Sequence, residues 1–287
     1  MQEEVEQLEI KFWGTRGSIP SPGKNTVKYG GNTTCVELIL NDNTLVIFDA
    51  GTGIKNLGQK IIKNGYPKEM RIFFTHSHWD HIQGFPLFTP AYYDDVEIQI
   101  YSCEPIADYL KDILTQQMDS RFFPVKFDEL KAKIIFKKIT EKEFQLNNAT
   151  FSYIKNNHPG TAFGFKVMEA NKKIVFITDN ELYANGNSIT HWYEFVDFCK
   201  NADLLIHDAH YLPDEMIETA GWGHSSYQQV LNLGIEANVK HLIFFHHEPD
   251  RTDDQIQSIL KDYQTKLKKL KLSMKLDAAI EGSKYIV

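Results

Sequence analysis

The segment RIFFTHSHWDHIQG, residues 71–84, constrains this chain more than any other. It sets four metal-capable side chains, His76, His78, Asp80 and His81, within six residues directly behind an apolar run. Their spacing does not suit one face of a helix, but a loop leaving a strand can turn alternate side chains toward one point. A pair of metal ions needs more ligands than one loop supplies, so the fold must bring other ligand-bearing segments to that strand end. The remaining candidates also follow or close apolar runs: His158 in NNHPG, Asp179 in VFITDN and His246 in LIFFHHEP. Taken alone, His158 reads equally as a turn histidine and Asp179 as a cap or turn residue. Beside the first cluster they read as ligands. Of the last two histidines, His246 ends its strand, and continued alternation turns His247 to the opposite side.

Short β-type runs recur at 8–13, 35–40, 44–50, 71–76, 96–101 and 132–139, then at 150–154, 163–168, 173–179, 203–209 and 241–247. Helices are expected over 53–64, 104–117, 190–200, 225–237 and 252–270. Several strand candidates are apolar throughout, as strands covered on both faces must be, so the expected class is α/β with helices outside packed sheets. No fixed-period repeat and no Pro/Gly/Ser linker interrupts residues 1–287, which are expected to form one domain, with 82–149 as a lid or subdomain within it.

The 287 residues carry 31 basic and 38 acidic side chains, a formal charge of −7, and only four of the basic residues are Arg. That balance disfavours a long nucleic-acid duplex as partner. The run KDYQTKLKKLKLSMK, residues 261–275, is a local exception with six Lys and one Asp; it reads as a solvated helix face or as a docking edge for an acidic partner or RNA. Cys35, Cys103 and Cys199 are odd in number and lack any CxxC, which suits reduced thiols rather than disulfides or a zinc ribbon. The acidic start MQEEVEQLEI has neither the basic flank nor the apolar run of a signal peptide. No stretch reaches about 18 uninterrupted apolar residues. A cytoplasmic protein without a membrane partner is expected.

Asp49 in VIFDAGTG, the THSHWDH segment, and His158, Asp179 and His246 together resemble the metallo-β-lactamase superfamily, and within it the phosphodiesterase branch that includes tRNase Z and cyclic-nucleotide phosphodiesterases. The resemblance spans nearly the whole chain and implies a four-layer αββα sandwich. It further implies that His76, His78 and His158 hold one divalent ion and Asp80, His81 and His246 a second, with Asp179 bridging and Asp49 behind them orienting a ligand. Imidazole and carboxylate donors without Cys suit Zn²⁺ and Mn²⁺ alike. The segments DLLIHDAHY and GWGHSSYQQV resemble tRNase Z motifs in which an acid supports a histidine, here Asp208 and His224. An imidazole held by a carboxylate can stay protonated near neutral pH and protonate a leaving alkoxide. The bland alternatives are a histidine beside a helix cap at Ser225, and strand-end structure for His207 and His210.

His158 and Asp179 are only 21 positions apart, where many tRNase Z enzymes carry a long arm that grips tRNA. The expected activity is therefore dimetal hydrolysis of a small cyclic nucleotide to its monophosphate, with Asp80 orienting the attacking water and His224, backed by Asp208, protonating the departing oxygen. The Gly- and hydroxyl-rich segments 14–23 and 29–35 read as turns, or as substrate-lining loops with Arg16 or Asn32 in reach. Phe85, Phe88, Tyr92, Tyr93, Phe122 and Phe123 either pack a core or stack a base. The resemblance also implies a homodimer. The rival readings are a tRNase Z-like RNA 3′-end endonuclease, which would need a basic groove, and a metal-bound sensor without turnover.

Overall fold

The computed structural model describes residues 7–65, 67–183 and 188–287. In chain order the elements are β1 (Glu9–Gly14), β2 (Cys35–Ile39), β3 (Leu45–Phe48), α1 (Ile54–Lys63), β4 (Glu69–Phe73), α2 (Trp79–Ile82), β5 (Glu97–Cys103), α3 (Ile106–Gln117), β6 (Lys133–Ile139) and β7 (Glu143–Leu146). They continue as β8 (Ala149–Lys155), β9 (Phe163–Glu169), β10 (Lys172–Ile177), α4 (Trp192–Cys199), β11 (Leu204–Asp208), α5 (Met216–Thr219), α6 (Tyr227–Glu236), β12 (His241–Phe245), α7 (Asp253–Lys269), β13 (Lys275–Ala278) and β14 (Lys284–Ile286).

The strands make two seven-stranded sheets, ordered β14-β1-β2-β3-β4-β5-β6 and β13-β12-β11-β10-β9-β8-β7. Each is half antiparallel and half parallel. In the first sheet the parallel half runs from β3 to β6, and in the second from β10 to β13. Residues 82–149 complete the first sheet with β5 and β6, carry α3, and reach the second sheet through β7.

The all-apolar strands are explained by period-2 sorting between two cores. Ile174, Phe176, Leu204, Ile206, Ile243 and Phe245 face the first sheet, whereas Val175, Ile177, Leu205, Leu242 and Phe244 face the outer helices α4, α6 and α7. Aromatic rings lock the two sheets together: Phe48 lies 5.1 Å from Phe176, Phe73 lies 5.1 Å from Phe151 and Phe12 lies 5.6 Å from Phe245. Helices α1 and α3 cover the other face of the first sheet, giving the four αββα layers. Helix α7 starts on a reciprocal cap between Thr252 and Gln255, buries Ile256, Leu260 and Leu267, and ends in Lys266, Lys268 and Lys269, which favour the negative end of the helix dipole. All six Lys of 261–275 are exposed. No helix among the described residues is long and apolar enough to cross a membrane.

This topology brings six strand ends to one rim. Asp49 follows β3, the 75–81 loop follows β4, His158 follows β8, Asp179 follows β10, Asp208 ends β11 and His246 follows β12. The carboxyl ends of parallel strands are where open α/β sheets bind ligands.

Candidate metal centre

Among the described residues four overlapping groups of side chains meet at that rim, two containing His224 (with Asp208, His210 and His246, and with His158 and Asp179) and two made of the expected ligands. Of the latter two, His76, His78 and His158 form one, and Asp80, His81, Asp179 and His246 form the other, each with a ligand atom from every member within 4.8 Å of the rest. Asp179 faces both. Its Oδ1 lies 3.7 Å from His76 Nε2 and 3.9 Å from His158 Nε2, while its Oδ2 lies 3.1 Å from His81 Nε2 and 3.3 Å from His246 Nε2. Asp80 Oδ2 approaches His81 Nε2 and His246 Nε2, both at 3.2 Å. His78 Nδ1 and His158 Nε2 are 3.0 Å apart at the exposed mouth.

A cation fits this donor set. His76 Nε2 is buried with no hydrogen-bond partner, a costly state for a polar atom unless something else satisfies it, and His81 Nε2 is buried facing only the carboxylates of Asp80 and Asp179. Burial, with neighbouring imidazoles, holds His76 well below its usual pKa and lowers His158 to about 4, so both rings are neutral and offer lone pairs. Burial would raise the carboxyls of Asp80 and Asp179, but the surrounding histidines outweigh it and keep both well below the usual range.

The groups behind the ligands fix which nitrogen faces inward. Asp49, fully buried, accepts from His81 Nδ1 at 2.8 Å and from the Thr75 amide and hydroxyl, each at 2.8 Å. Because the Thr75 hydroxyl gives its proton to Asp49, it accepts from His76 Nδ1 at 3.0 Å and leaves Nε2 for a ligand. The Gly223 carbonyl does the same for His158 Nδ1 at 3.0 Å. Asp49, Asp179 and His246 all have positive φ, 61°, 53° and 58°. Such conformations cost about 1–3 kcal/mol each and concentrate at functional sites, where packing over-determines them.

Asp208 and His224 pair as expected, with Nδ1 to Oδ2 at 2.5 Å. Burial alone would lower the His224 pKa, but Asp208, with Asp179 and Asp80 behind it, pushes it up to about 9. The ring is thereby a cation with Nε2–H as its second donor. It stacks on His210, 4.4 Å away, and lies 5.2 Å from His246. His207 is structural, bonded through Nδ1 to the Asp208 carbonyl and facing Asn180. His247 turns away and bonds the Ala279 carbonyl through Nε2.

Two expected substrate contacts are corrected. Arg16 is 0% exposed, and its guanidinium is consumed by the carbonyls of Gly30, Glu248 and Arg251, so it ties loops together instead of reaching the site. Asn32 is committed to Glu281 through both its amide nitrogen and side chain. The 14–23 loop reaches the centre elsewhere: the Ser18 amide donates to Asp80 Oδ2 at 2.8 Å, and a Cβ on Gly17 would fall 2.5 Å from the His246 ring. Sequence reasoning also missed Thr75, and it treated His210 as strand-end structure where the fold sets it against His224. Of the aromatic candidates, Phe85 and Phe88 are core, whereas Phe122 is 76% exposed. With Trp79, 78% exposed between His78 and Asp80, and with Phe123, Leu87 and Ile113, it lines a groove of about 620 Å³ opening beside Ser77.

A family model described as a Beta-lactamase superfamily domain matches residues 44–247. A Ribonuclease Z of Listeria monocytogenes serotype 4b (strain CLIP80459) is 25% identical, over 90% of this chain and 94% of its own length. Among solved structures, the metallo-β-lactamase fold protein YhfI from Bacillus subtilis aligns with a TM-score of 0.71 at 18% identity, covering 98% of this chain and 100% of its own. Unliganded yeast PDE1 aligns with a TM-score of 0.70 at 15% identity, covering 99% and 100%.

Proposed function

The chain belongs to the β-lactamase superfamily, and on that footing we propose that it is a dimetal phosphodiesterase acting on small cyclic nucleotides. The observation that carries the reading is the His224–Asp208 pair held against the two ligand groups, because acyl hydrolysis in a lactamase does not require such a pair. His76, His78 and His158 would hold one ion, Asp80, His81 and His246 the other, and Asp179 both. When bound, a pair of Zn²⁺ or Mn²⁺ ions supplies Lewis-acid polarisation of a phosphoryl group and a more acidic water.

The chain's own groups do the rest. Asp80, fixed by the Ser18 amide, orients the attacking water. His224 Nε2–H binds the phosphoryl region and gives its proton to the ester oxygen as the P–O bond breaks, and Asp208 keeps the imidazolium in place. The groove of Trp79 and Phe122, built from the 82–149 segment and the ligand loop, takes the base and serves as the lid side of the site.

Small size is supported by the net charge of −7 and by the interval from His158 to Asp179, which is a plain hairpin of β9 and β10 turning at Ala170 and Asn171. The Ribonuclease Z similarity favours a second reading, RNA 3′-end cleavage. A panel of cyclic mono- and dinucleotides and a pre-tRNA, assayed with Zn²⁺ and with Mn²⁺, separates them. Cyclic-nucleotide hydrolysis that changes little between about 50 and 200 mM salt, where a polyanion substrate would lose orders of magnitude, is the expected result. Efficient pre-tRNA cleavage with cyclic nucleotides untouched would replace this reading with the endonuclease. A cytoplasmic homodimer is part of the proposal, and light scattering tests the dimer.

A further inference from the structure

Two residues beyond Asp179, Glu181 is 1% exposed and belongs to neither ligand group. Its Oε2 accepts from the Gly221 amide at 2.8 Å and the Gly223 amide at 3.2 Å. Both glycines have positive φ, 86° and 84°, so the turn that lifts Trp222 outward is one a side chain would strain. Gly223 has no room for one either, since a Cβ there would fall 2.2 Å from His158 Nδ1. The same turn does two jobs for the centre: its Gly223 carbonyl receives His158 Nδ1, and its next residue is His224.

The backbone of Glu181 is tied to the other side of the site. Its amide donates to the Asn157 carbonyl at 2.9 Å, and Asn157 Nδ2 donates back to the Glu181 carbonyl at 3.0 Å. Its neighbours clip the residue after His224, with the Leu182 amide donating to Ser225 Oγ at 3.1 Å and Ser225 Oγ donating to the Asn180 carbonyl at 2.6 Å. One buried residue therefore joins three segments: its backbone holds the loop ahead of His158 to the strand end carrying Asp179, and its carboxyl group holds the turn ahead of His224.

We propose that Glu181 is a positioning residue that clamps the 221–223 turn, so that His224 and the carbonyl orienting His158 hold a fixed place relative to Asp179. The turnover part of this inference rests on the phosphodiesterase reading; the geometric part does not. The test compares Glu181→Ala, Glu181→Gln and Glu181→Asp with the wild type by two readouts. The first is the NMR signals of the Nδ1-bound protons of His224, His158 and His81 in the protein as purified, each assigned by its loss in the corresponding alanine variant. Glu181→Ala should move the His224 and His158 signals and leave the Asp49-bound His81 signal in place. The second is kinetics on a cyclic nucleotide, where kcat should fall about 10²-fold, the scale of a 1 Å misplacement. KM should stay within about threefold.

Glu181→Gln, which keeps an oxygen for both amides, should recover most of the rate and both signals. Should the alanine variant not fold, Glu181→Asp, one methylene shorter, shows the same pattern at smaller size. Unmoved His224 and His158 signals, loss of the His81 signal alongside them, or a glutamine variant no better than alanine would each overturn the proposal. If the wild type turns over no phosphodiester, the functional reading fails while the NMR arm still decides the role of Glu181.

Discussion

The two halves of the centre are built in opposite ways. The loop behind β4 delivers His76, His78, Asp80 and His81 from six consecutive residues, whereas the second sheet delivers His158, Asp179 and His246 from three separate strand ends. The first is local structure, in which a strand end and one helical turn aim every side chain. The second depends on the register of β10, β11 and β12, because a one-residue slip turns each terminal side chain to the other face. His247 shows where such a slip leads: one residue past His246, it bonds the Ala279 carbonyl outside the centre. The ligand loop is therefore contiguous in sequence and leans on other segments through Asp49 and the Ser18 amide, while Asp179, His246 and the Asp208–His224 pair come together only when the second sheet is correctly assembled.

The contrast can be broken from either side. His224→Ala, on the dispersed side, should keep its metals and lower kcat on a cyclic nucleotide by about 10²- to 10⁴-fold, the range for loss of a general acid. On a nitrophenyl phosphodiester, whose leaving group needs little protonation, the defect should shrink. Equal loss on both substrates, or loss of metal, would make His224 a structural residue or a ligand. Asp49→Ala, on the local side, removes the carboxylate that orients His81 and should weaken metal affinity about 10- to 100-fold, measured by competition with a chelating dye. Unchanged affinity would show that the loop needs no support from β3. Smallest is Trp79→Ala, which touches the loop but no ligand. Loss of one base stack, at the low end of about 1–3 kcal/mol, should raise KM by about five- to tenfold with kcat nearly unchanged. An unchanged KM would remove the groove from substrate binding.

Legibility in the sequence follows the same division. The 76–81 cluster could be read directly because it is contiguous, and His246 rather than His247 could be placed beside it because strand alternation is a local rule. The eleven strand runs and five helices expected all have counterparts, with ends shifted by up to three residues. Strands β7, β13 and β14 went unread: they are three or four residues long, carry charged or polar exposed positions, and exist because a neighbouring strand edge accepts them. Arg16 was misjudged because its partners Glu248 and Arg251 lie more than two hundred residues away, and a scarce arginine gives no local sign of being a buried strap. Thr75 and Glu181 act through amides and hydroxyls that no spacing advertises. His210 reads as strand-end structure, and only the fold sets it against His224.

A two-ion centre would have its halves meet at Asp179, which turns one oxygen toward each group. Elemental analysis after reconstitution, on the wild type and on Asp179→Ala, tests it most directly. About two ions per chain are expected for the wild type and a clear loss of occupancy in the variant, with turnover abolished. At most one ion per chain, with occupancy unchanged by Asp179→Ala, would contradict it.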